Sequence, residues 1–336
     1  MLDCPLLQAL HYVDDSQPGL TRRRWRDRFH YFDTEGKRIR DAQTLARIAA
    51  LVIPPAYTEV WICPDPQGHL QATGRDSRGR KQYRYHTQWR ELRDQHKYDR
   101  MLAFAQALPK LRRQLDGHLA RPGLDREKVM ALVVSLLDTT LIRIGNRQYL
   151  RENKSYGLTT LRNRHVQVEG STVRFQFRGK RGVEHNVSLR DRRLARLIKR
   201  CLELPGQTLF QYLDEQGQRH AVGSSEVNQF LQQLTGADFT AKDYRTWAGS
   251  ALALDLLRPL AWQPESEARR QVAAIVRQVA TRLGNTPAVC RRCYIHPAVL
   301  EHYQLGRLAA LPRARARQGL EAEEAALLRF LQEIGN

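Results

Sequence analysis

The sequence predicts an α+β protein: a small β-rich N-terminal domain over residues 1–88, then a larger, mainly α-helical domain over residues 89–336 that carries a three-stranded antiparallel sheet. Three observations predict it. Short β-type runs and turn residues fill the chain to about Gln88, hydrophobic spacing then changes to the i, i+3, i+4 of helices, and one block of period-two alternation interrupts those helices. In the first part the strands are Arg28–Phe32, Val60–Cys63 and Leu70–Gly74, with one helix, Ala42 to Leu51, ended by Pro54 and Pro55. Arg126 to Ile144 places Val129, Leu132, Val133, Leu136, Leu137 and Leu141 on one helical face, with Gly145-Asn146 as its stop. The runs 165–169, 172–177 and 183–189, around turns at Gly170-Ser171 and Gly179–Gly182, form the meander. Helices resume at Glu226–Leu234, at a segment opening Thr240-Ala241-Lys242-Asp243, at Glu267–Leu283 behind Ser266, and at Gly319–Ile334. Thr240 with Asp243 forms a capping box, which puts Arg245 in the first helical turn or just beyond it.

Composition excludes several classes. Among 336 residues, 55 Lys+Arg face 35 Asp+Glu for a net charge of +20, and 42% of residues are hydrophobic, so the chain is neither disordered nor collagen-like. No apolar run reaches the roughly 18 residues of a membrane span, and the N-terminus lacks a signal-peptide pattern, so a soluble cytoplasmic protein is expected. The charge asks for a polyanion, either nucleic acid or an anionic membrane surface. Five scattered cysteines, Cys4, Cys63, Cys201, Cys290 and Cys293, do not form a disulfide framework. Cys290 and Cys293 make a C-x-x-C pair that would need two further ligands, such as His296 and His302, to hold zinc; reduced thiols are expected instead. Pro312–Arg317 is a basic turn or linker.

Four residues sit where a structural explanation is available but not comfortable. Arg143 closes an apolar helix, where a charge needs a partner or a polar cleft, although a helix C-terminus also favours a cation. Lys180 lies at a hairpin tip, Arg245 in Lys242-Asp243-Tyr244-Arg245, and Tyr294 follows a stretch beginning Leu283-Gly284-Asn285; each alone reads equally as a solvated lysine, a salt bridge or a packing tyrosine.

Their order is more specific. An arginine closing a helix, a lysine on a β-hairpin, a K-x-x-R opening a helix and a C-terminal L-G-N-x(8)-Y-x-H-P together resemble the catalytic domain of type IB DNA topoisomerases, in the poxvirus-like branch found in bacteria. Residues 74–85, GRDSRGRKQYRY, resemble that family's R-D-S-x-G-R-x-Q-Y-x-Y; residues 143–153, RIGNRQYLREN, its R-x-G-x-x-x-Y-x-x-E-N; and Gly157–Leu161 its G-L-x-T-L. The resemblance implies the fold shared by topoisomerase IB and tyrosine recombinases. It also implies relaxation of positive and negative supercoils: Tyr294 attacks a phosphodiester to give a 3′-phosphotyrosyl link, the free end rotates, and the strand reseals without ATP. Arg143 and Arg245 match the arginines that clamp the non-bridging oxygens, a task suited to a planar fork that keeps its charge. Lys180 matches the lysine that protonates the departing 5′-oxygen, which an ammonium can do and a guanidinium cannot. These cations make a metal unnecessary, and no cofactor is implied. Where the poxviral pattern has histidine this chain has Asn285, which cannot titrate but can still donate a hydrogen bond.

The resemblance further implies a double-stranded DNA partner, contacted by Arg80, Lys81, Gln82, Tyr83, Tyr85, Tyr149 and Lys242, with the two domains closing as a clamp around the duplex. Binding should then weaken steeply with salt. A nucleoid-associated monomer with no membrane contact is expected. A tyrosine recombinase is the nearest alternative, but that family has histidine where this chain has Lys242, and a helical N-terminal bundle. A non-catalytic DNA-binding protein of the same fold is the other.

Overall fold

The computed structural model describes residues 10–77, 79–308, 315–316 and 319–335, and only the backbone of residues 90–97, 99, 148 and 149. Cys4 and most of the 312–317 run lie outside the described residues. The chain divides into two compact units, Met1–Lys97 and Tyr98–Asn336; the division falls inside a helix that begins at Thr87, rather than at Gln88.

The first unit is an antiparallel sheet of five strands, β1 (Leu20–Trp25), β2 (Arg28–Phe32), β3 (Thr58–Ile62), β4 (Leu70–Arg75) and β5 (Lys81–Tyr85), in the order β2-β1-β3-β4-β5. One helix, α1 (Ala42–Ala50), is capped by the Asp41 carboxylate, which accepts from the Thr44 N–H at 2.7 Å. Ile48 of α1 joins Leu20, Val60, Ile62 and Ala72 in the core. Strand β1, Leu-Thr-Arg-Arg-Arg-Trp, is absent from the sequence expectation because its arginines mask the pattern. Arg22 is nonetheless inward-facing: it lies over the Phe29 ring at 4.2 Å and donates to the carbonyls of Ile53, Pro54 and Tyr57 at 3.2, 3.0 and 2.6 Å.

The second unit contains the rest of α2 (Thr87–Ala120), then α3 (Arg126–Thr140), α4 (Arg147–Asn153), the meander β6 (Val166–Glu169), β7 (Thr172–Arg178) and β8 (Glu184–Arg190), and α5 (Arg192–Glu203). A short ribbon of β9 (Gln211–Leu213) and β10 (Arg219–Ala221) precedes α6 (Ser224–Thr235), α7 (Ala241–Leu257), α8 (Glu265–Leu283), α9 (Pro287–Cys293), α10 (Pro297–Gln304) and α11 (Ala322–Ile334). One continuous core runs from Phe104 and Leu108 of α2 through Leu132 and Leu136 of α3 to Trp247 of α7 and Phe330 of α11.

Two boundaries differ from the expectation in ways that matter. The apolar helix does not run to Ile144: α3 ends at Thr140, Leu141 turns into the left-handed region with φ 57°, and residues 142–146 belong to no helix or strand. Thr140 causes part of this, its hydroxyl accepting the Ile142 N–H at 3.2 Å and offering the backbone an alternative to the next helical bond. Arg143 is therefore on a connecting segment and not on a helix. Helix α8 begins at Glu265 behind Pro264, so Ser266 lies inside its first turn. The capping box is present: Asp243 Oδ2 accepts from the Thr240 N–H at 2.8 Å, and Arg245 follows in the second turn of α7.

Candidate active site

Arg143, Lys180, Asn285 and Tyr294 line one cleft of about 650 Å³ in the second unit, together with Arg181, His185 and the Gly284 turn. Each is delivered by a different local device. The Arg143-Ile144 segment is pinned by the G-L-x-T-L turn: Leu158 N–H donates to the Arg143 carbonyl at 2.9 Å and Thr159 N–H to that of Ile144 at 2.7 Å. A Cβ on Gly157 would lie 2.5 Å from the Arg143 oxygen, so only glycine permits this approach. Lys180 opens a 3₁₀ turn between β7 and β8. Helix α9, started by Thr286 and Pro287, spans the chain from Asn285 to Tyr294, which caps its C-terminus. A Cβ on Gly249 of α7 would stand 2.5 Å from the Tyr294 carbonyl, so that glycine lets α7 close on the tyrosine backbone.

Arg245 reaches the same tyrosine from α7, its Cζ 5.1 Å from the ring centroid. It is 4% exposed and its fork is fixed by backbone carbonyls, Nη2 donating to Leu283 at 2.6 Å and Nη1 to Leu141. Burial lowers its pKa, which Tyr294 opposes. Arg143 donates through Nη2 to the Gly284 carbonyl at 3.1 Å and to Asn285 Oδ1. Because a guanidinium only donates, this contact turns the amide oxygen of Asn285 toward Arg143 and leaves Nδ2 as the free end of the side chain. That Nδ2 is buried without an acceptor among the described residues.

The cleft is electrostatically unfinished. Burial, with Arg245 and Arg181 nearby, brings Arg143 down to about 10, and partial burial with Arg143 and Arg181 lowers Lys180 below the ordinary lysine value. Glu184 is the one carboxylate in the lining among the described residues. Cations gathered at this density, with a buried amide donor lacking an acceptor, form a site for an anion.

The remaining expected residues are distributed as follows. Arg80, Lys81, Gln82, Tyr83 and Tyr85 are all on or beside edge strand β5 of the first unit. Tyr83 and Tyr85 stack at 6.2 Å with the Lys81 ammonium 5.6 Å from the Tyr83 ring, and Tyr83 is 46% exposed. Strand alternation puts Gln82 on the opposite face, where its amide donates to Asp76 Oδ2 at 3.0 Å beside Arg80, whose Nη2 is 2.6 Å from the same oxygen. Asp15 holds Lys81 at 2.5 Å. Lys242 is exposed in the first turn of α7, and Tyr149 is on α4, its side chain outside the described residues.

Of the C-x-x-C pair, Cys290 packs in the core and Cys293 is half-buried, both as free thiols. Cys290 is buried, and burial pushes its thiol up to about 11. His296 caps α10 through Nδ1, which accepts from the Ala298 N–H at 3.2 Å, His302 donates to the Ala298 carbonyl at 2.9 Å, and among the described residues no group of three or more His, Cys, Asp or Glu side chains is placed to hold a metal ion. Sequence reading missed His185 and Arg181. The signal for His185 was its place in phase with Val187 and Leu189 on the inner face of β8.

Residues 86–317 match the family model of the eukaryotic DNA topoisomerase I catalytic core, and residues 28–76 that of the bacterial DNA topoisomerase IB N-terminal domain. The chain is 31% identical over 294 residues to DNA topoisomerase 1B of Acanthamoeba polyphaga mimivirus, covering 85% of this chain and 88% of that protein. It is 24% identical over 253 residues to DNA topoisomerase 1B of vaccinia virus (73% and 75% covered), and 26% identical over 236 residues to DNA topoisomerase 1 of rabbit fibroma virus (68% and 70% covered). The chain belongs to the type IB DNA topoisomerases. Among the described residues, no helix is long and apolar enough to cross a membrane.

Proposed function

We propose that this topoisomerase relaxes supercoiled DNA of either sign by a tyrosine-linked nick. The Tyr294 oxygen attacks the phosphorus, its proton passing to solvent; a 3′-phosphotyrosyl bond forms as the P–O5′ bond breaks, and the Lys180 ammonium gives its proton to the leaving oxygen. Arg143 and Arg245 stabilise the charge on the non-bridging oxygens, and Asn285 donates its amide N–H to one of them. The observation that carries this reading is the cleft itself: a tyrosine ringed by Arg143, Lys180 and Arg245, with the Asn285 Nδ2 buried and lacking an acceptor that a phosphate oxygen would supply. The lowered Lys180 pKa suits a general acid, since its proton is easier to release near neutral pH. One phosphodiester is exchanged for another and the strain of the supercoil drives rotation, so the cycle consumes no nucleotide. Duplex DNA is contacted in addition by Lys81, Tyr83 and Tyr85 of β5 and by Arg80, Gln82, Tyr149 and Lys242, and the enzyme works as a monomer. The test is relaxation of plasmid in EDTA without ATP, with denaturant trapping an adduct on the 3′ side of the nick; no relaxation at any salt concentration would refute the reading.

Asn285→Ala is expected to slow single-turnover cleavage about 10²–10³-fold, the usual effect of losing one donor to a developing oxyanion. Asn285→His, which keeps a donor, is expected to remain active. Wild-type cleavage rates for the alanine variant would remove Asn285 from the site.

A further inference from the structure

The strand pair that carries Lys180 also carries an imidazole for which the proposed chemistry has no use. His185, on β8, is the direct cross-strand partner of Phe177 on β7, and the two rings stack at 4.9 Å with only 8° between their planes. Phe177 is rooted in the core, so the imidazole sits on a fixed platform. Its edges meet two glycines that belong to different parts of the chain. A Cβ on Gly179 would lie 2.5 Å from His185 Cδ2, and a Cβ on Gly284 would lie 2.4 Å from His185 Cε1. The ring therefore fills the space between the backbone just before Lys180 and the backbone just before Asn285. The Gly284 carbonyl is also an acceptor for Arg143. Side chains at either glycine would expel the ring, and without the ring the Lys180 turn and the Gly284-Asn285 turn would face each other across a gap. Burial, with Arg143 and Arg245 nearby, brings the His185 pKa down to about 4, so the spacer is uncharged at neutral pH and adds no repulsion to the cation cluster.

We propose that His185 is a positioning residue: its imidazole holds the Lys180 turn at the separation from the Gly284-Asn285 turn that lets the lysine ammonium reach the leaving oxygen of the phosphate. This rests on the assignment of Lys180 as the acid. A displacement of about 1 Å in such a group is enough to slow a reaction about 10²-fold.

The experiment compares single-turnover cleavage of two duplexes, one ordinary and one with sulfur in place of the bridging 5′-oxygen at the scissile bond. A thiolate departs without being protonated, because its conjugate thiol has a pKa of about 8.5, so the sulfur substrate does not need Lys180. His185→Ala is expected to cleave the ordinary duplex about 10²-fold slower than wild type, to bind it with unchanged affinity, and to cleave the sulfur duplex within about tenfold of wild type. His185→Phe, which keeps a flat ring over Phe177, is expected to recover most of the ordinary rate. Equal slowing of His185→Ala on both duplexes, or no slowing on either, overturns the proposal. Lys180→Ala run alongside separates the two assignments. If sulfur relieves the lysine defect but not the histidine defect, the role given to His185 alone is wrong; if it relieves neither, Lys180 is not the acid and the route assigned to His185 falls with it.

Discussion

Tyr294→Phe is expected to bind plasmid DNA as the wild type does and to leave it fully supercoiled. The substitution removes one oxygen and nothing else. The ring stays against Arg245, whose Cζ lies 5.1 Å from its centroid, and the arginine keeps the carbonyls of Leu283 and Leu141 as acceptors when the hydroxyl is gone. Binding rests on charges this change does not touch, so a mobility shift at matched salt should be unaltered. Relaxation and the denaturant-trapped adduct should both vanish, because a phenyl ring offers no nucleophile. The contrast with Asn285→Ala is informative: loss of a donor lowers a rate, whereas loss of the attacking atom ends the reaction. Relaxation by Tyr294→Phe at an appreciable rate would mean that another group attacks, or that the plasmid effect is not catalysis at all.

How much of this could be read from the chain depends on what each element's pattern was protecting. The β7–β8 meander was legible because one face of it is buried and alternation is the direct signature of that burial. The capped start of α7 was legible because Thr240 and Asp243 satisfy one another locally. β1 was not, since Arg22, the arginine of its inner face, lies over Phe29 and spends its donors on loop carbonyls that only the folded chain brings near. α2 was hidden by its charged opening turns and by Pro109 within it. α5, by contrast, carries an ordinary amphipathic pattern in Leu194, Leu197, Ile198 and Cys201 that the reading of the meander before it passed over. The candidate site followed the same division. Arg143, Lys180, Arg245, Asn285 and Tyr294 were found by the order of short motifs, but the role of Gly157, Gly179, Gly249 and Gly284 in letting backbones approach could not be read from glycine alone, because it is a statement about what packs against each of them.

Arg112→Leu is expected to destabilise the protein by about 3 kcal/mol, read as a lowered denaturant midpoint with little change in slope. Arg112, on α2, donates from Nε and Nη2 to both oxygens of Asp138 on α3 at 2.7 and 2.9 Å, and from Nη1 and Nη2 to Glu324 on α11 at 2.7 and 2.9 Å. Glu324 in turn accepts the Trp247 indole N–H of α7 at 2.9 Å, so one guanidinium joins four helices, including the helix that carries Arg245. Removing one partner of a largely buried pair is worse than never having had the pair, because the two carboxylates left behind have lost their water as well as their counter-ion. The pH dependence supplies the sign. Burial pushes the Asp138 carboxyl up against the pull of Arg112, and taking Arg112 away removes that pull and raises it further. The folded variant then holds a proton that the unfolded chain releases, so its stability falls as pH rises above the unfolded carboxylate range and recovers as pH is lowered toward it. The gap between wild type and Arg112→Leu should therefore narrow on acidification, and Asp138→Asn added to Arg112→Leu should restore part of the loss at neutral pH. A deficit below about 1 kcal/mol, independent of pH, would place this network with exposed ion pairs and overturn its assignment as the joint between α7 and the C-terminal helix.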